Sequence, residues 1–355
     1  VALAAPPALE GDAAAVVLPE RGRGRAGAKA GSGAAVEVRR TLLGAAAWGL
    51  VATVWAATVL MPFVLTWAVL AAKWRLVIRL GAIYLLPQFL SAPALPRQGR
   101  EALIGALMQW FPSMAIEPSS GAILTKGIAT SGKQPKQLLC MHPHGIISVG
   151  VLALAGSYPD VRIAVAPFMH TCAPLFRLLA DLCGVRLAST GRAALAATMK
   201  KGDSPLGIVP GGFQEATITA RGRERVFLKE RRGFVKYALR YGYDLVPVYT
   251  LGEADLYDNP QGCWGLRYFL NALGVPAVLP FGYPWLPLLP RREAVTVAIG
   301  EPLQLPHLKD PTPEELEHHH ARYMEALRAL HARAARARAC ASGVKQKEVR
   351  QLEVW

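Results

Sequence analysis

The stretch LLCMHPHG, residues 138–145, joins a short apolar run to a turn that carries two histidines. The apolar run, 138–141, has the length and composition of a buried strand, and Ile146–Ala155 has the pattern of a helix. A turn between a strand and a helix lies at the carboxyl edge of a sheet, where α/β proteins bind their ligands. This stretch therefore predicts an α/β domain with a candidate site at the turn.

The sequence around this stretch alternates between short apolar runs and helical segments, which is typical of an α/β fold. Four more strands are predicted, at Arg162–Ala166, Leu206–Val209, Asp244–Tyr249 and Val295–Ile299. Helices are predicted over Gly233–Tyr241 and from Pro313 onward, the second opened by a capping box of Thr312 and Glu315. The apolar face of this last helix recurs at spacings of four and three, at Leu316, His320, Tyr323, Leu327, Leu330 and Ala334. We expect residues 91–340 to form one domain and 341–355 to form a C-terminal tail.

The residues before this domain have a different composition. Residues 1–40 are rich in Ala, Gly, Pro and Arg, and they predict a flexible basic arm. From Thr41 to Ala72 there are 32 consecutive residues without a charge, whereas about 20 apolar residues suffice to cross a bilayer. Basic residues flank this run on both sides, so both ends favour the cytosolic side of a membrane. We therefore expect a membrane hairpin or re-entrant segment over residues 41–90, interrupted at Pro62.

A buried helix of a soluble core is the alternative for this segment. The run is too long and too uniformly apolar for an amphipathic helix, which favours the membrane interpretation. Four tryptophans in or beside the run are candidates for interfacial anchors: Trp48, Trp55, Trp67 and Trp74.

The composition excludes some classes of protein. Lys and Arg outnumber Asp and Glu by 40 to 25, a formal net charge of +15, and 52% of the residues are hydrophobic. This apolar content excludes a wholly disordered chain, and the charge favours anionic partners. Nucleic-acid binding would explain the charge but not the long uncharged run. The five cysteines are odd in number and include no C-x-x-C pair, so neither a disulfide framework nor a structural zinc site is predicted.

His142 and His144 are the main candidates for chemistry. Histidine has an unperturbed pKa close to neutrality, so it can take up and return a proton during a reaction. Both residues could instead be structural, or could form the H-x-H of a metal site with Cys140, which would need further ligands. No Asp follows His144 within ten residues. On the last helix, the adjacent His318, His319 and His320 point about 100° apart, so we expect surface histidines there rather than a metal site.

Two further clusters carry candidate functional residues. In VPGGFQE, residues 209–215, an apolar run enters a glycine turn that allows close approach to a ligand. Glu215 is placed to orient a histidine or to bind a hydroxyl, and the alternative is a tight turn with a solvated carboxylate.

The third cluster is basic and suits coenzyme phosphates, although a solvated or membrane-facing charge run fits equally well. Its members are Lys229, Arg231, Arg232 and Lys236.

These residues resemble the type 2 diacylglycerol acyltransferase family, which includes monoacylglycerol and wax-alcohol acyltransferases. Residues 142–145 match its His-Pro-His-Gly signature. Its glycine block is matched by Pro210, Gly211, Gly212 and Glu215. Three other segments are similar to the family's remaining blocks: Arg231–Glu253, Gly300–Pro302 and Tyr323–Leu327. The resemblance extends over roughly residues 84–330.

The resemblance implies a glycerolipid-acyltransferase-like mixed α/β sheet flanked by helices, with the N-terminal hairpin in the membrane. It also implies an enzyme that moves a fatty acyl group from acyl-CoA to diacylglycerol, which makes triacylglycerol. The implied place is the endoplasmic reticulum membrane, with the catalytic domain facing the cytosol. Acyl-CoA is then a co-substrate, and no metal or cofactor is implied. The family is compatible with lipid-droplet association and with a homo-oligomer, and no nucleic-acid partner is expected.

The resemblance assigns roles to the candidate residues. His142 or His144 would deprotonate the acceptor hydroxyl, Glu215 would orient this base, and amide N–H groups at Gly145 and the helix start would stabilise the oxyanion. Contacts to the substrates are implied for Pro143, Gly145, Pro210, Gly211, Gly212, Arg231, Arg232, Gly233, Phe234 and Lys236. Monoacylglycerol or a long-chain alcohol is the alternative acceptor. A catalytically inactive, membrane-tethered lipid-binding protein is the alternative from a different class.

Overall fold

A computed structural model describes residues 16–17, 30–89, 93–117, 136–274, 277–343 and 349–355. Its main element is a mixed sheet of eight strands flanked by helices, as predicted. In chain order, the strands of this sheet are β1 Val16–Val17, β2 Met114–Glu117, β3 Gln137–His142, β4 Arg162–Val165, β5 Leu187–Ser189, β6 Leu206–Ile208, β8 Asp244–Leu251 and β9 Val295–Ile299. A separate parallel pair consists of β7 Glu224–Val226 and β10 Leu352–Val354.

The described residues contain eleven α-helices. Their bounds are α1 Ala30–Leu70, α2 Trp74–Phe89, α3 Arg97–Gln109, α4 Val149–Ser157, α5 Pro167–Thr171, α6 Pro174–Leu182, α7 Arg192–Lys201, α8 Gly212–Ile218, α9 Gly233–Tyr241, α10 Trp264–Ala272 and α11 Pro313–Ser342. A short 3₁₀ helix, Glu253–Asp255, follows β8.

Strand β3 lies inside the sheet, whose order is β1-β2-β9-β8-β3-β6-β4-β5. It is parallel to both of its neighbours, β8 and β6, and all six of its residues are buried. Leu139 and Met141 pack into the core on one face of the sheet, and Leu138 and Cys140 pack into the core on the other. The run is continuously apolar because both faces of a parallel strand are covered.

All five predicted strands are confirmed, with ends that differ by at most two residues.

The predicted helix at Ile146–Ala155 begins later than expected. Gly145 and Ser148 have φ angles of +62° and +57°, so the chain turns twice before α4 starts at Val149. Positive φ angles are incompatible with a right-handed helix. The residues after the His-Pro-His-Gly turn therefore form a loop, which gives the candidate site a longer stretch of free backbone.

The N-terminal hairpin is present, but it turns at a different place. Helix α1 continues through Pro62, and the chain reverses at residues 71–73 before α2. A proline removes one main-chain hydrogen bond, and a helix of 41 residues retains the others. Helix α1 begins at Ala30, so residues 30–40 are helical where an arm was expected. Among the described residues, one helical segment, Val36–Leu70, is long and apolar enough to cross a membrane.

The first half of α1 belongs to the core of the domain. Ala47, Trp48 and Val51 are buried, and the indole N–H of Trp48 donates to the carbonyl oxygen of Leu107 at 3.0 Å. The prediction of Trp48 as an interfacial anchor is therefore wrong, because its ring fills a core position. Further along α1, large apolar side chains are exposed, with Phe63 at 67%.

The C-terminal residues are more ordered than a tail. The predicted capping box is present at the start of α11, where Thr312 and Glu315 exchange side-chain to main-chain hydrogen bonds. After α11, strand β10 pairs in parallel with β7. The main chain of Trp355 also bonds to Val226, Leu228 and Lys229. Residues 352–354, which were expected to be part of a tail, therefore form a strand of the domain.

Candidate active site

Two neighbouring parallel strands bring the two main candidate motifs to the same edge of the sheet. Strand β3 ends at His142, and β6 ends at Ile208, just before the glycine turn that leads into α8. Adjacent parallel strands place their carboxyl ends side by side. The His-Pro-His-Gly turn and Glu215 therefore meet in space, although 71 residues separate His144 from Glu215.

Glu215 accepts hydrogen bonds from two separate segments at this edge of the sheet. Its side chain is fully buried, and its oxygens accept from the main-chain N–H groups of His144 at 2.8 Å and of Phe227 at 2.9 Å. A Cβ atom added to Gly211 would lie 2.1 Å from Glu215 Oε2. Any larger residue at 211 would therefore displace the carboxylate, which explains the glycine four residues before it.

His142 is held at both ring nitrogens. Its Nδ1 lies 3.1 Å from Glu215 Oε1, and its Nε2 lies 3.1 Å from the hydroxyl of Tyr323 in α11. A carboxylate only accepts hydrogen bonds, so Nδ1 donates to Glu215. The Tyr323 hydroxyl lies within hydrogen-bond distance of Nε2 and also donates to the carbonyl oxygen of Cys140 at 3.4 Å. The His142 side chain is also fully buried. This histidine has no nitrogen free for a substrate.

His144 has the opposite arrangement. Its Nδ1 lies 2.9 Å from the carbonyl oxygen of Gly145, which only accepts hydrogen bonds, so Nδ1 carries the proton. Its Nε2 then holds a lone pair, and this atom has no partner among the described residues. Burial lowers the pKa of His144 and outweighs the opposing effects of the Gly145 carbonyl and of Glu215. The ring is thus a neutral base with one free nitrogen.

A second buried carboxylate supports the same loop. Glu253 is 2% exposed and accepts from the N–H groups of Val149 at 3.0 Å and of Gly150 at 2.8 Å. Burial raises its pKa to about 7. A Cβ atom at Gly145 would lie 2.4 Å from Glu253 Oε1, so the loop backbone rests directly on this carboxylate. The carboxylate replaces the side-chain N-cap that α4 lacks.

The oxyanion donors were expected at Gly145 and at a helix start at Ile146. In the structure the helix starts at Val149, and the amides of Val149 and Gly150 donate to Glu253. The amides of residues 145–147 donate to no acceptor within the part of the chain that the structure describes. The candidate donors are therefore still Gly145 and the residues from Ile146 on, which form a loop rather than the first turn of a helix.

The basic candidates occupy different environments. Arg231 is partly buried, donates to Gln214, and lies over the ring of Phe227 with its Cζ 5.5 Å from the ring centroid. Burial lowers the pKa of Arg231, and its Nε has no hydrogen-bond partner within the described residues. Arg232 is exposed and pairs with Glu317 at 2.7 Å. Arg231 thus lies beside the Glu215 cluster, since it contacts Gln214 and Phe227 and the main-chain N–H of Phe227 donates to Glu215.

The remaining candidates of this block differ in exposure. Lys229, Gly233 and Lys236 are exposed on the surface around the start of α9. Phe234 is 7% exposed and packs edge-on against Tyr323, with ring centroids 4.9 Å apart. The packing of Phe234 supports the residue that holds His142, so the core accounts for this side chain without a ligand.

The prediction of surface histidines on α11 is wrong for two of the three residues. His320 is fully buried, with its Nε2 3.0 Å from the carbonyl oxygen of Leu228, and His319 is 8% exposed. His320 lies one turn before Tyr323, on the face that packs against the domain. No group of three or more potential metal ligands occurs in the described part of the chain.

Sequence reasoning missed Tyr323 and Glu253 as site residues. Both lie in segments that carry the family resemblance, but neither segment has a pattern that reveals a contact with residues 142–150. A signal existed for Tyr323, because its polar hydroxyl lies on the apolar face of the last helix, where a buried donor needs a partner. Glu253 follows a buried strand parallel to β3, which places it at the same sheet edge.

Comparisons with known proteins agree with the sequence resemblance. The sequence profile of a family described as "Diacylglycerol acyltransferase" matches residues 128–343. Diacylglycerol O-acyltransferase 2 from Mus musculus is 32% identical over 210 residues, which cover 52% of this chain and 53% of that protein. The Dictyostelium discoideum protein of the same name is 31% identical over 224 residues, 57% of this chain and 68% of that protein.

A further relative is named for a different acceptor. The 2-acylglycerol O-acyltransferase 1 of Homo sapiens is 31% identical over 212 residues, 53% of this chain and 62% of that protein. This chain thus spans about half the length of the mouse relative and somewhat more of the others. Among solved structures, the 1-acyl-sn-glycerophosphate acyltransferase PlsC from Thermotoga maritima matches with a TM-score of 0.39 and 14% identity, over 84% of this chain and 98% of that one.

Proposed function

Since this chain belongs to the diacylglycerol acyltransferase family, we propose that it transfers a fatty acyl group from acyl-CoA to diacylglycerol and so makes triacylglycerol. The observation that carries the chemistry is the state of His144. Its Nδ1 donates to the Gly145 carbonyl, and neither its Nε2 nor the amides of residues 145–147 in the same loop have a partner among the described residues. A neutral imidazole with one free nitrogen is the arrangement that a general base requires.

The proposed reaction begins at the acceptor hydroxyl. His144 Nε2 takes its proton while the hydroxyl oxygen attacks the carbonyl carbon of the acyl thioester. The resulting tetrahedral intermediate breaks its C–S bond, and the departing thiolate receives the proton from His144 as free CoA. The products are the new ester and the thiol, and the histidine is neutral again.

The loop backbone supplies the second part of the mechanism. The tetrahedral intermediate carries a negative oxygen, which needs hydrogen-bond donors that are already in place. We assign this role to the amide N–H groups of residues 145–147. The Gly145 backbone packs closely against Glu253, and Glu253 accepts from Val149 and Gly150 at the end of the same loop, so these donors would need little rearrangement as the charge forms.

Glu215 and His142 hold the base in place rather than exchange its proton. The contact of Glu215 with His144 is to the main-chain N–H, and His142 joins Glu215 to Tyr323. Together they fix the position of the turn from three elements of the fold, β3, α8 and α11. In this proposal His144 is the base, and His142 and Glu215 are positioning residues.

The substrates are proposed from the same family membership. Acyl-CoA carries phosphates, for which Arg231, Arg232 and Lys236 are the candidate ligands. The unpartnered Nε of partly buried Arg231 supports this assignment most directly, because a buried guanidinium nitrogen requires an acceptor. Pro143, the Pro210-Gly211-Gly212 turn and Gly233 would line the route of the acyl chain and acceptor.

The place of reaction is the cytosolic side of the endoplasmic reticulum membrane. This proposal is supported by the apolar hairpin of α1 and α2 and by the identity of the relatives. Diacylglycerol remains in a bilayer, whereas acyl-CoA reaches the enzyme from water. The hairpin therefore accounts for how an enzyme can meet both substrates.

The experiment is an acyl-transfer assay with membranes from cells that lack their own storage-lipid synthesis. Labelled acyl-CoA is supplied with diacylglycerol, monoacylglycerol or a long-chain alcohol, for the wild type and for His144→Ala. Triacylglycerol from the wild type, with a loss of about 10² to 10⁴-fold in the variant, is the expected result. Product with another acceptor alone would show that this compound, not diacylglycerol, is the acceptor. No product with any acceptor would favour an inactive lipid-binding protein.

A further inference from the structure

A second apolar surface lies outside the N-terminal hairpin. It consists of seven large side chains with exposed fractions between 47% and 85%: Leu266, Phe269, Leu273, Leu279, Phe281, Trp285 and Leu286. We call these seven residues the α10 face. Soluble monomeric domains rarely expose apolar residues in such a group, and groups of this kind mark interaction surfaces.

Helix α10 is oriented with its apolar side outward. Leu266, Phe269 and Leu273 follow one another at spacings of three and four, so they lie on one face of the helix and all three are exposed. Arg267 and Asn271 lie on another face, and both are buried. This distribution is the reverse of a helix on the surface of a soluble domain.

Hydrogen bonds fix α10 in this orientation. Arg267 donates to the carbonyl oxygens of Ala277 and Pro260 and to the side-chain oxygen of Asn259, at 2.6 to 2.9 Å. Asn271 donates to the hydroxyl of Thr217 at 2.8 Å. Rotating the apolar side inward would break all four bonds. These bonds therefore stabilise the orientation in which this side is exposed.

The loop after α10 presents the rest of the face. Phe281 and Asp258 exchange two main-chain hydrogen bonds at 2.9 Å, and the chain then reverses in a tight turn. A Cβ atom at Gly282 would lie 1.7 Å from the carbonyl oxygen of Leu289, so the two arms of the turn are in close contact. Trp285 lies at the tip of this turn and is 85% exposed. The turn holds an amphipathic aromatic ring out into the surroundings.

The sequence of this region has almost no charge. Between residues 259 and 290 there is one charged residue, Arg267, and its side chain points into the protein. Residues 268–290 contain no Asp, Glu, Lys or Arg at all. A surface that binds another protein usually carries a polar and charged rim, whereas hydrocarbon excludes charge.

The loop that carries Phe281, Trp285 and Leu286 is joined to the start of the candidate membrane helix through Trp110. The ring of Trp110 packs edge-on against Tyr283, with centroids 6.4 Å apart, and its indole N–H donates to Pro290. On its other side, the Trp110 backbone lies against Gly44 of α1, where an added Cβ would be 3.0 Å from its Cα. Arg292 also pairs with Glu37 of α1 at 3.4 Å. The loop and the hairpin thus form one connected structure.

We propose that the α10 face is a second membrane-docking surface, which inserts Phe269, Leu273 and Trp285 into the same leaflet that receives the N-terminal hairpin. Its partner is the lipid bilayer. A tryptophan at the tip of a turn suits the interface between headgroups and acyl chains. The uncharged sequence and the connection to α1 favour this occupant over a second copy of the chain.

This docking would bring helix α8, which carries Glu215, close to the lipid. Asn271 of α10 bonds to Thr217 of α8, two residues after Glu215. If the proposed function holds, the acceptor lipid would then enter from the side of α10. The docking itself does not depend on that function and is tested without it.

The test uses the full chain reconstituted in phosphatidylcholine vesicles. A photoreactive phenylalanine analogue is placed at position 269 or 285, with position 63 of α1 as the positive control and exposed Ala321 of α11 as the negative control. After irradiation, mass spectrometry identifies what each position has captured. We expect phospholipid adducts at 269, 285 and 63, and none at 321.

Two results would overturn the proposal. One is an adduct at 63 with none at 269 and 285, and the other is capture of a second copy of the chain at 269 or 285. A second measurement compares Phe269→Ser/Leu273→Ser with Ala321→Ser/Ala329→Ser in acyl transfer. We expect the first pair alone to raise KM for diacylglycerol in vesicles, while activity on a short-chain, water-dispersed acceptor stays unchanged in both. Unchanged lipid adducts together with absent activity would leave the docking intact and count against the proposed function.

Discussion

Glu215 accepts a hydrogen bond from the main-chain N–H of His144 at 2.8 Å, while the imidazole of His144 bonds to the next residue in the chain. The carboxylate therefore holds the backbone of the proposed base without contacting its imidazole ring. In this respect the site differs from a triad in which the carboxylate bonds the imidazole of the base. The histidine that Glu215 does contact through its ring, His142, is closed off by Tyr323.

The two histidines are expected to respond differently to substitution. His144→Ala removes the free Nε2 and should lower the rate of transfer by about 10² to 10⁴-fold with little effect on stability, because the side chain is partly exposed. His142→Ala leaves a cavity and unpairs buried polar groups, which should lower the free energy of unfolding by about 2 to 5 kcal/mol. Thermal unfolding and transfer rates of both purified variants measure this difference. A stable, inactive His142→Ala beside an active His144→Ala would reverse the assignment of the base.

The pH dependence of transfer follows from the lowered pKa of His144. The base must be neutral to accept a proton, so the rate falls as pH drops through this pKa, which lies below the usual 6.5. We therefore expect full activity at pH 7 and an acid limb below pH 6.5 in a profile of kcat/KM. Substituting Ser148→Ala, which keeps the Gly145 contact of the ring, is the matched control and should leave the limb in place. An acid limb above pH 7 would contradict a neutral His144 as the base.

Glu215→Gln keeps the size of the side chain but removes one of its two acceptor oxygens. The amide has one oxygen for three donors, and its NH₂ group would face an N–H, so a buried donor loses its partner. We expect a loss of about 1 to 3 kcal/mol in the free energy of unfolding together with a loss of transfer activity. Exposed Glu230→Gln is the control and should change neither quantity. Normal activity in Glu215→Gln would show that the position of His144 does not depend on this residue.

Glu253 makes a prediction about stability rather than rate. Its pKa is raised from 4.5 to about 7, so between these values the folded protein binds more protons at this group than the unfolded chain does. Stability from this group is present below pH 4.5 and is lost as pH rises toward 7, by up to about 3 kcal/mol. Glu253→Gln does not titrate, so the difference in unfolding free energy between variant and wild type should change with pH in this window. A constant difference would contradict the burial of the carboxylate.

The C-terminal strand is expected to support the site. Strand β10 and Trp355 bond to residues 224–229, and this segment supplies the Phe227 N–H that Glu215 accepts. Deleting residues 349–355 should therefore lower transfer activity, and the peptide VRQLEVW added in trans should restore part of it. A scrambled peptide of the same composition is the control. Full activity of the shortened chain would show that the segment folds correctly without β10.

Much of this site followed from the order of residues along the chain. The apolar run before His142 and the second run before Pro210 predicted two strands, and each was followed by a turn with candidate functional residues. Parallel strands in an α/β fold collect such turns at one edge, so the meeting of the histidine turn with Glu215 could be anticipated. The capping box of α11 was equally local, because its two partners are three residues apart.

The choice between the two histidines was not local. His142 and His144 are two residues apart in the same turn, and their sequence patterns are equivalent. Tyr323, 181 residues away, closes one ring, and the turn of the backbone at Gly145 leaves the other ring with a free nitrogen. Only packing of α11 against the sheet separates their roles.

The sequence by itself therefore determined the α/β class, the family resemblance and the edge where the candidate residues gather, since these depend on short-range patterns of polarity and spacing. The tertiary structure decided which histidine is free, which amides are already occupied by Glu253, and which way α10 faces. Each of these depends on a hydrogen bond between residues far apart in the chain, such as Glu253 with Gly150 and Asn271 with Thr217. A pattern of neighbouring residues cannot specify such a pair, because its two partners come within bonding distance only when the chain folds.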